Sequence, residues 1–349
     1  MRNITYILLL MAAIGIASCG NQDDFPEITT TTPTIDTDTA TVTPTTYNLD
    51  ETPLEGETET VATWTTDTLN DSYKDFIANF LVDETTGIAD DGDFNADTQT
   101  WAEGVKTMIL TFGQDTVNIV YRNKKGNTKE VPADDFTITT DGAHITIVAH
   151  TKCQYILKGE STDGSFKIYS DNKFIVNLSG LSLTNPHGAA LNMQKGNDGG
   201  KRCYLVVGND TRNFLADGAE YDTATGEQEK GVIFNEGKIC ISGNGYLRVT
   251  ASGKNAIVSD DYVYLHIGPQ ITLYPAADHD GIKTNDGIVI AGGVLNIVCQ
   301  GTKARALYTE DAITVAGGRT VIYNTEGTMP YEALNGLQYN AGVFSINPQ

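Results

Sequence analysis

Positive charge is scarce in this chain. Its 349 residues hold 23 Lys and Arg against 45 Asp and Glu, a formal net charge of −22. That excludes nucleic acid as a partner, because phosphates select the opposite sign. Cations and neutral substrates are compatible; an anionic polymer would need bridging cations or a local basic patch. Helical patterning is also missing, since no segment keeps apolar helical spacing over ten or more residues. The one long apolar run, 4–17, is too short to span a membrane as a permanent helix. Cysteines are few, and none sits in a CxxC pair, so zinc and dithiol chemistry have no support. Isolated thiols are expected at Cys153, Cys203, Cys240 and Cys299, although one disulfide would be compatible with export.

What the chain does have is a repeat. Ile233, Ile257, Ile282 and Leu307 recur at separations of 24, 25 and 25 residues, and Gly243, Gly268, Gly292 and Gly317 at 25, 24 and 25. Two landmarks give one period, so the unit is real. Within it, Ile288 and Ile290 alternate with Gly287 and Val289, and Leu295, Ile297 and Cys299 with Asn296 and Val298. Period two is a strand signal. A hairpin meander would not demand the same inward residues every 24 or 25 positions, whereas stacked coils about 4.8 Å apart do. The expected fold is all-β, a single-stranded parallel β-helix. Its inner ladders are Ile239/Val263/Ile288/Ile313 and Ile241/Leu265/Ile290/Val315. One coil cannot bury its apolar face alone, so stability is collective.

Arg2, the apolar run and Ser18-Cys19-Gly20 have the layout of a signal peptide. Residues 20–66 are crowded with Thr, Asp, Glu and Pro, hold almost no large apolar side chains, and read as a disordered tether. The region 67–134 is expected to hold a capping segment and the first strands. There Asn70–Leu81, with Tyr73, Phe76, Ile77, Phe80 and Leu81, fits a short helix capping the first coil, and Asp83–Asp97 a very acidic loop. Strands are expected at Met108–Phe112, Val117–Tyr121, Phe136–Thr139 and Ile145–Val148. The β-helix is assigned to 135–326, with insertions at 194–202 and 216–230, and residues 327–349 to a C-terminal cap. Insertions in repeat proteins sit on loops, often on the binding face.

Three sets of residues bear chemistry. Asp261, Asp286 and Asp311 share one repeat position at separations of 25 and 25, with Asp260 before the first. Stacked carboxylates repel, and a hard cation such as calcium, which takes about 6–8 oxygen ligands, relieves that. Asp278 and Asp280 form a second candidate cluster. Turn chemistry is the alternative account of both. Tyr262, Tyr264 and His266 alternate with inward Val263 and Leu265, so they point outward, as does Tyr274. They are either a platform for sugar rings or simply good strand residues. For β-elimination of a uronate, Lys283 and Arg305 are the available bases; no distinctive catalytic signature is present.

Three resemblances sharpen this. Ile16-Ala17-Ser18-Cys19 resembles a bacterial lipobox, which implies cleavage before Cys19 and its lipidation. Asp23 and Asp24 resemble surface-export signals of some Gram-negative lipoproteins, which implies the outer membrane, at the cell surface rather than the periplasmic side. The run Asp280 to Gly293 resembles the repeat D-G-I-x-[ST]-x-D-x-[LIV]-x-I-x-G-G of a secreted carbohydrate-binding family. Tyr155-Ile156-Leu157-Lys158-Gly159 resembles its opening coil, and Gly208 to Leu215 its "G-T-x-N-x-L" segment. The resemblance implies a pectate-lyase-like, right-handed parallel β-helix that binds calcium and plant-wall polysaccharide such as cellulose or polygalacturonate without established lyase activity. It also implies Asp280 and Asp286 as calcium candidates; Lys283, between them in sequence, is counted with Tyr262, Tyr264, His266 and Tyr274 as a candidate carbohydrate contact. Asn255-Ala256 and Arg305-Ala306 replace Asp-Gly in the neighbouring coils, which confines calcium to one or two coils. The expectation is a lipid-anchored, non-catalytic polysaccharide binder, with a calcium-dependent polysaccharide lyase and a structural or adhesive surface protein as rivals.

Overall fold

The computed structural model describes residues 94–95, 100–101, 104–197, 202–266, 268–324 and 329–348. The leader with Cys19, the tether and the segment 70–81 lie outside these. Among the described residues every regular element is a strand.

From residue 143 the chain winds as a parallel β-solenoid with three sides per turn. First-side strands are Ala143–Ala149, Gly164–Ser170, Leu191–Lys195, Gly231–Asn235, Asn255–Ser259, Ile282–Thr284, Arg305–Thr309 and Met329–Ala333, paired in parallel in that order. They mark about eight coils. The second side starts with the first halves of Cys153–Ser161 and Phe174–Asn185. It continues through Cys203–Val207, Ile239–Gly243, Tyr262–Leu265, Gly287–Ile290, Ile313–Val315 and Leu337–Tyr339. The third side runs from the second halves of the same two strands through Arg212–Asp217, Tyr246–Thr250, Gln270–Tyr274, Val294–Cys299, Arg319–Asn324 and Val343–Pro348.

Both expected inner ladders are in register: Ile239 pairs with Val263, Val263 with Ile288 and Ile288 with Ile313, and Ile241, Leu265, Ile290 and Val315 follow in parallel. These side chains fill one continuous core. The glycine landmark is one residue out of step in a single coil. Leu265 aligns with Ile241 and Ile290, which places Gly268 three residues past its ladder partner where Gly243 and Gly292 are two past theirs. Four residues connect Leu265 to Gln270, against three from Ile290 to Val294.

Two boundaries differ from expectation. Lys106–Gly113 already pairs in parallel with Cys153–Ser161, so the second side begins inside the region expected to cap it. Antiparallel strands close that end: Thr116–Arg122 lies on Lys106–Gly113, and Phe136–Asp141 on Ala143–Ala149. Val117, Ile119, Val131 and Ile138 pack on the core there. At the other end, residues 329–348 wind a full coil paired on all three sides. The repeat fades in sequence because Tyr331, Leu337 and Ile346 are only partly buried in that coil, so packing constrains them less.

Candidate functional site

The motif D-G-I-x-[ST]-x-D builds the corner between the first and second sides. Ser259, Thr284 and Thr309 stack there, fully buried. The Ser259 hydroxyl has the Gly237 and Tyr262 carbonyls as acceptors for its single proton (2.7 and 3.1 Å) and accepts the Asp261 N–H (3.2 Å). Thr284 donates to the Gly287 carbonyl (3.1 Å), and Thr309 accepts the Asp311 N–H (3.1 Å). A short hydroxyl satisfies backbone groups that the bend leaves without ladder partners. Asp261, Asp286 and Asp311 follow two residues later and lie one above another, as the period requires.

The carboxylates at this edge have protein partners. Lys230 Nζ is 2.5 Å from Asp260, and Asn335 Nδ2 donates to Asp311. Asp278, at φ 64°, accepts the Lys303 N–H (3.0 Å), and that bond holds its carboxyl below the usual value. Asp280, almost buried, accepts Arg305 Nε and Nη2 at 2.8 and 2.9 Å, a bidentate pair across one coil. Although burial opposes its charge, Arg305 titrates above its ordinary value because Asp280 and Glu332 bond it. The position where this coil substitutes Arg for Asp thus supplies the counter-ion of the Asp beneath it. Among the described residues no three His, Cys, Asp or Glu side chains converge to hold a metal ion.

The expected aromatic platform points outward but is not exposed. Tyr262, Tyr264 and His266 are 8, 0 and 4% exposed. Arg202 donates to the Tyr262 hydroxyl at 2.5 Å, and the Tyr264 hydroxyl meets His266 Nδ1 at 3.1 Å. Alternation fixed which way these rings point; it carried no information about what lies over them. Tyr274, on the third side, is half-buried, with the Arg248 guanidinium 5.9 Å from its ring.

The open surface is on the first side. Its outward row reads Lys167, Asn192, Phe234, Val258, Lys283, Tyr308 and Glu332, one residue per coil. The insertion after Asp217 straps the early part of this row. Glu227 bonds Lys167 and Tyr169, Gln194 Nε2 donates to the Gln228 carbonyl (2.9 Å), and Glu229 accepts the Ala189 N–H (2.9 Å). Phe234 and Val258 are buried in this stretch. The row then opens at Lys283 and Tyr308, both half-buried. The Tyr308 ring has the Arg305 guanidinium at 3.7 Å and Lys283 Nζ at 5.2 Å from its centroid. Lys283 makes no ion pair among the described residues. The cluster Lys283, Tyr308, Arg305 and Glu332 offers one aromatic face, one ammonium without a carboxylate partner among the described residues, and a fixed ion pair. Tyr308 is the residue that reading the sequence missed. Its signal was the register it shares with Lys283, since Ala-Leu-Tyr-Thr-Glu-Asp repeats Gly-Ile-Lys-Thr-Asn-Asp.

Against known proteins, no curated protein matches this chain. Among solved structures it matches a polysaccharide lyase-like protein from C. thermocellum, at 18% identity and TM-score 0.53, over 69% of this chain and 100% of that one. At that identity the likeness is one of fold. A family model described as carbohydrate-binding domain-containing protein matches residues 141–349. That span takes in every coil of the solenoid and more than half of the sequence, and the chain belongs to this carbohydrate-binding domain family.

Proposed function

We propose that the protein is a non-catalytic polysaccharide binder of the cell envelope, held by a lipid at Cys19, and that the polymer lies along the open first side at Lys283 and Tyr308. The observation that carries this reading is the half-open Tyr308 ring beside an ammonium with no carboxylate partner among the described residues. A ring face suits the apolar face of a sugar, and a lone cation on an acidic protein suits a uronate carboxylate. The family membership supports the carbohydrate class. A plant-wall polymer such as pectin or cellulose is the proposed ligand.

Calcium enters this reading only as a bridging ion. Asp280 is spent on Arg305, so the corner row Asp261, Asp286 and Asp311 would need oxygens from the polymer to complete a coordination shell. A lyase is the second reading, favoured by one observation: Lys283 is the one candidate base not engaged with a carboxylate, whereas Arg305 is held by Asp280 and Glu332.

The test is retention of the mature chain on polygalacturonate, cellulose and xylan, with and without EGTA, while ultraviolet absorbance follows unsaturated product. Retention without product is expected. Tyr308→Ala and Lys283→Ala should each weaken it about three- to tenfold, the worth of one ring or one exposed charge. Product formation abolished in Lys283→Ala would make the protein a lyase. No retention on any polymer would leave a structural surface protein.

A further inference from the structure

The first side carries the same pair of side chains twice. At its open end Lys283 Nζ lies 5.2 Å from the ring centroid of Tyr308 in the next coil, with no carboxylate partner among the described residues. Nearer the other end, Lys167 Nζ lies 5.5 Å from the ring centroid of Tyr169, two residues along the same strand. Lys167 belongs to the outward row that reaches Lys283 four coils later, about 20 Å away at the spacing of stacked strands. There the pair is filled. Glu227, on the strap after Asp217, accepts the Lys167 ammonium on one carboxylate oxygen and the Tyr169 hydroxyl on the other. A Lys–Tyr pair on this surface therefore holds a carboxylate by both of its oxygens.

We propose that Lys167 and Tyr169 are a second carboxylate subsite of the polysaccharide surface, and that Glu227 occupies it until an acidic polymer displaces it. This rests on the reading that the polymer lies along the first side at Lys283 and Tyr308. The strap can leave without opening the core, because no residue of 218–230 is buried and none belongs to the core cluster. Beyond Glu227 it is held by hydrogen bonds that water or polymer can replace: Gln194 Nε2 donates to the Gln228 carbonyl, the Ala189 N–H to the Glu229 carboxylate (2.9 Å each), and Lys254 Nζ to the Glu229 carbonyl (2.5 Å). The strap is itself acidic, with Glu220, Asp222, Glu227 and Glu229 against Lys230. Lys167, Lys254 and Lys283 each lie in, or immediately before, a first-side strand. They supply the local basic patch that an anionic polymer needs on a chain of net charge −22, and the strap bonds two of them. A neutral glycan carries no anion to replace Glu227, so the ligand class is a uronate-bearing polymer lying along the solenoid axis.

The test compares retention of the mature chain on polygalacturonate and on cellulose. While Glu227 fills the subsite, only the fraction of molecules with the strap lifted binds fully, and the apparent affinity is lower by that fraction. Glu227→Gln should therefore bind polygalacturonate about two- to fivefold more tightly, the worth of one partly exposed ion pair, with cellulose retention unchanged. Glu227→Gln/Lys167→Ala should lose that gain. In the wild type, amide hydrogen exchange across 218–230 should rise when polygalacturonate is added, a readout that needs no variant. An unchanged affinity in Glu227→Gln overturns the proposal. So does a gain that survives Lys167→Ala, because the lost negative charge alone would then explain it. Unchanged or slower exchange in the strap of the polymer-bound wild type overturns it as well. If Lys283→Ala still weakens retention in any of these cases, the first-side reading stands without the second subsite. Retention on cellulose alone likewise removes only the subsite, whereas no retention of wild type or variant on either polymer removes both.

Discussion

Arg305 and Lys283 differ by one coil and one neighbour, and that neighbour separates their roles. Arg305 closes a bidentate pair on an almost buried carboxylate, whereas Lys283 lies near an aromatic ring with no anion beside it among the described residues. Removing one member of a buried pair strands the other. Arg305→Ala should cost about 3 kcal/mol, the low end of the range because Arg305 keeps 22% of its side-chain surface. Lys283→Ala should stay within about 0.5 kcal/mol, as exposed changes usually do. Urea midpoints of the two variants would show the contrast. Equal midpoints would mean that the Asp280 site reorganises or fills with water. Asn213 is the other residue whose chemistry is local. Fully buried, it accepts the Gly180 and Leu181 N–H groups and donates to the Thr211 hydroxyl and the Tyr246 carbonyl, tying three coils at one corner. The Asn of the family motif is thus a backbone clamp.

The strands turn Cys153 and Cys299 into the core, and thiol chemistry records it. Burial pushes the thiols of Cys153 and Cys299 up to about 12 from an unperturbed 9.0. The folded state holds these protons more tightly than the unfolded chain does. Their contribution is therefore intact below about pH 9 and is lost as the pH rises toward 12. In reducing buffer the urea midpoint should fall between pH 9 and 11, and Cys153→Ala/Cys299→Ala should fall less steeply over that range. Parallel slopes would mean that the thiols ionise without leaving the core. The corner between the second and third sides is equally constrained. Gly243 has φ 99°, and a Cβ there would lie 2.0 Å from the Val207 carbonyl oxygen, so the turn admits only glycine.

At the scale of the whole molecule, stacking makes stability a sum over coils and their interfaces. The eighth coil covers Leu307, Ile313, Val315 and Ile322 of the seventh. Deleting residues 327–349 would bare that apolar end together with a row of ladder groups, an edge that invites another chain. The shortened protein should melt at lower temperature and aggregate, as followed by light scattering during a thermal ramp. A monodisperse product with an unchanged midpoint would show that the last coil adds nothing to the stack.

The sequence by itself determined the coil period, the inward ladders and the acidic corner row. Each follows from local alternation repeated every 24 or 25 residues, and a stacked fold copies such a pattern directly into space. Tertiary structure decided which outward residues are open. Tyr264 and Tyr308 both point away from the core by the same period-two rule, yet one is sealed and the other half-open. The strap after Asp217 closes the early first side and leaves Lys283 and Tyr308 uncovered. The pairing of Asp280 with Arg305 likewise needed coordinates, because repeat position shows that two residues stack and not whether they hold each other or a metal ion. Direction along a strand is a property of neighbouring residues. Cover depends on segments distant in the chain, and no local pattern encodes it.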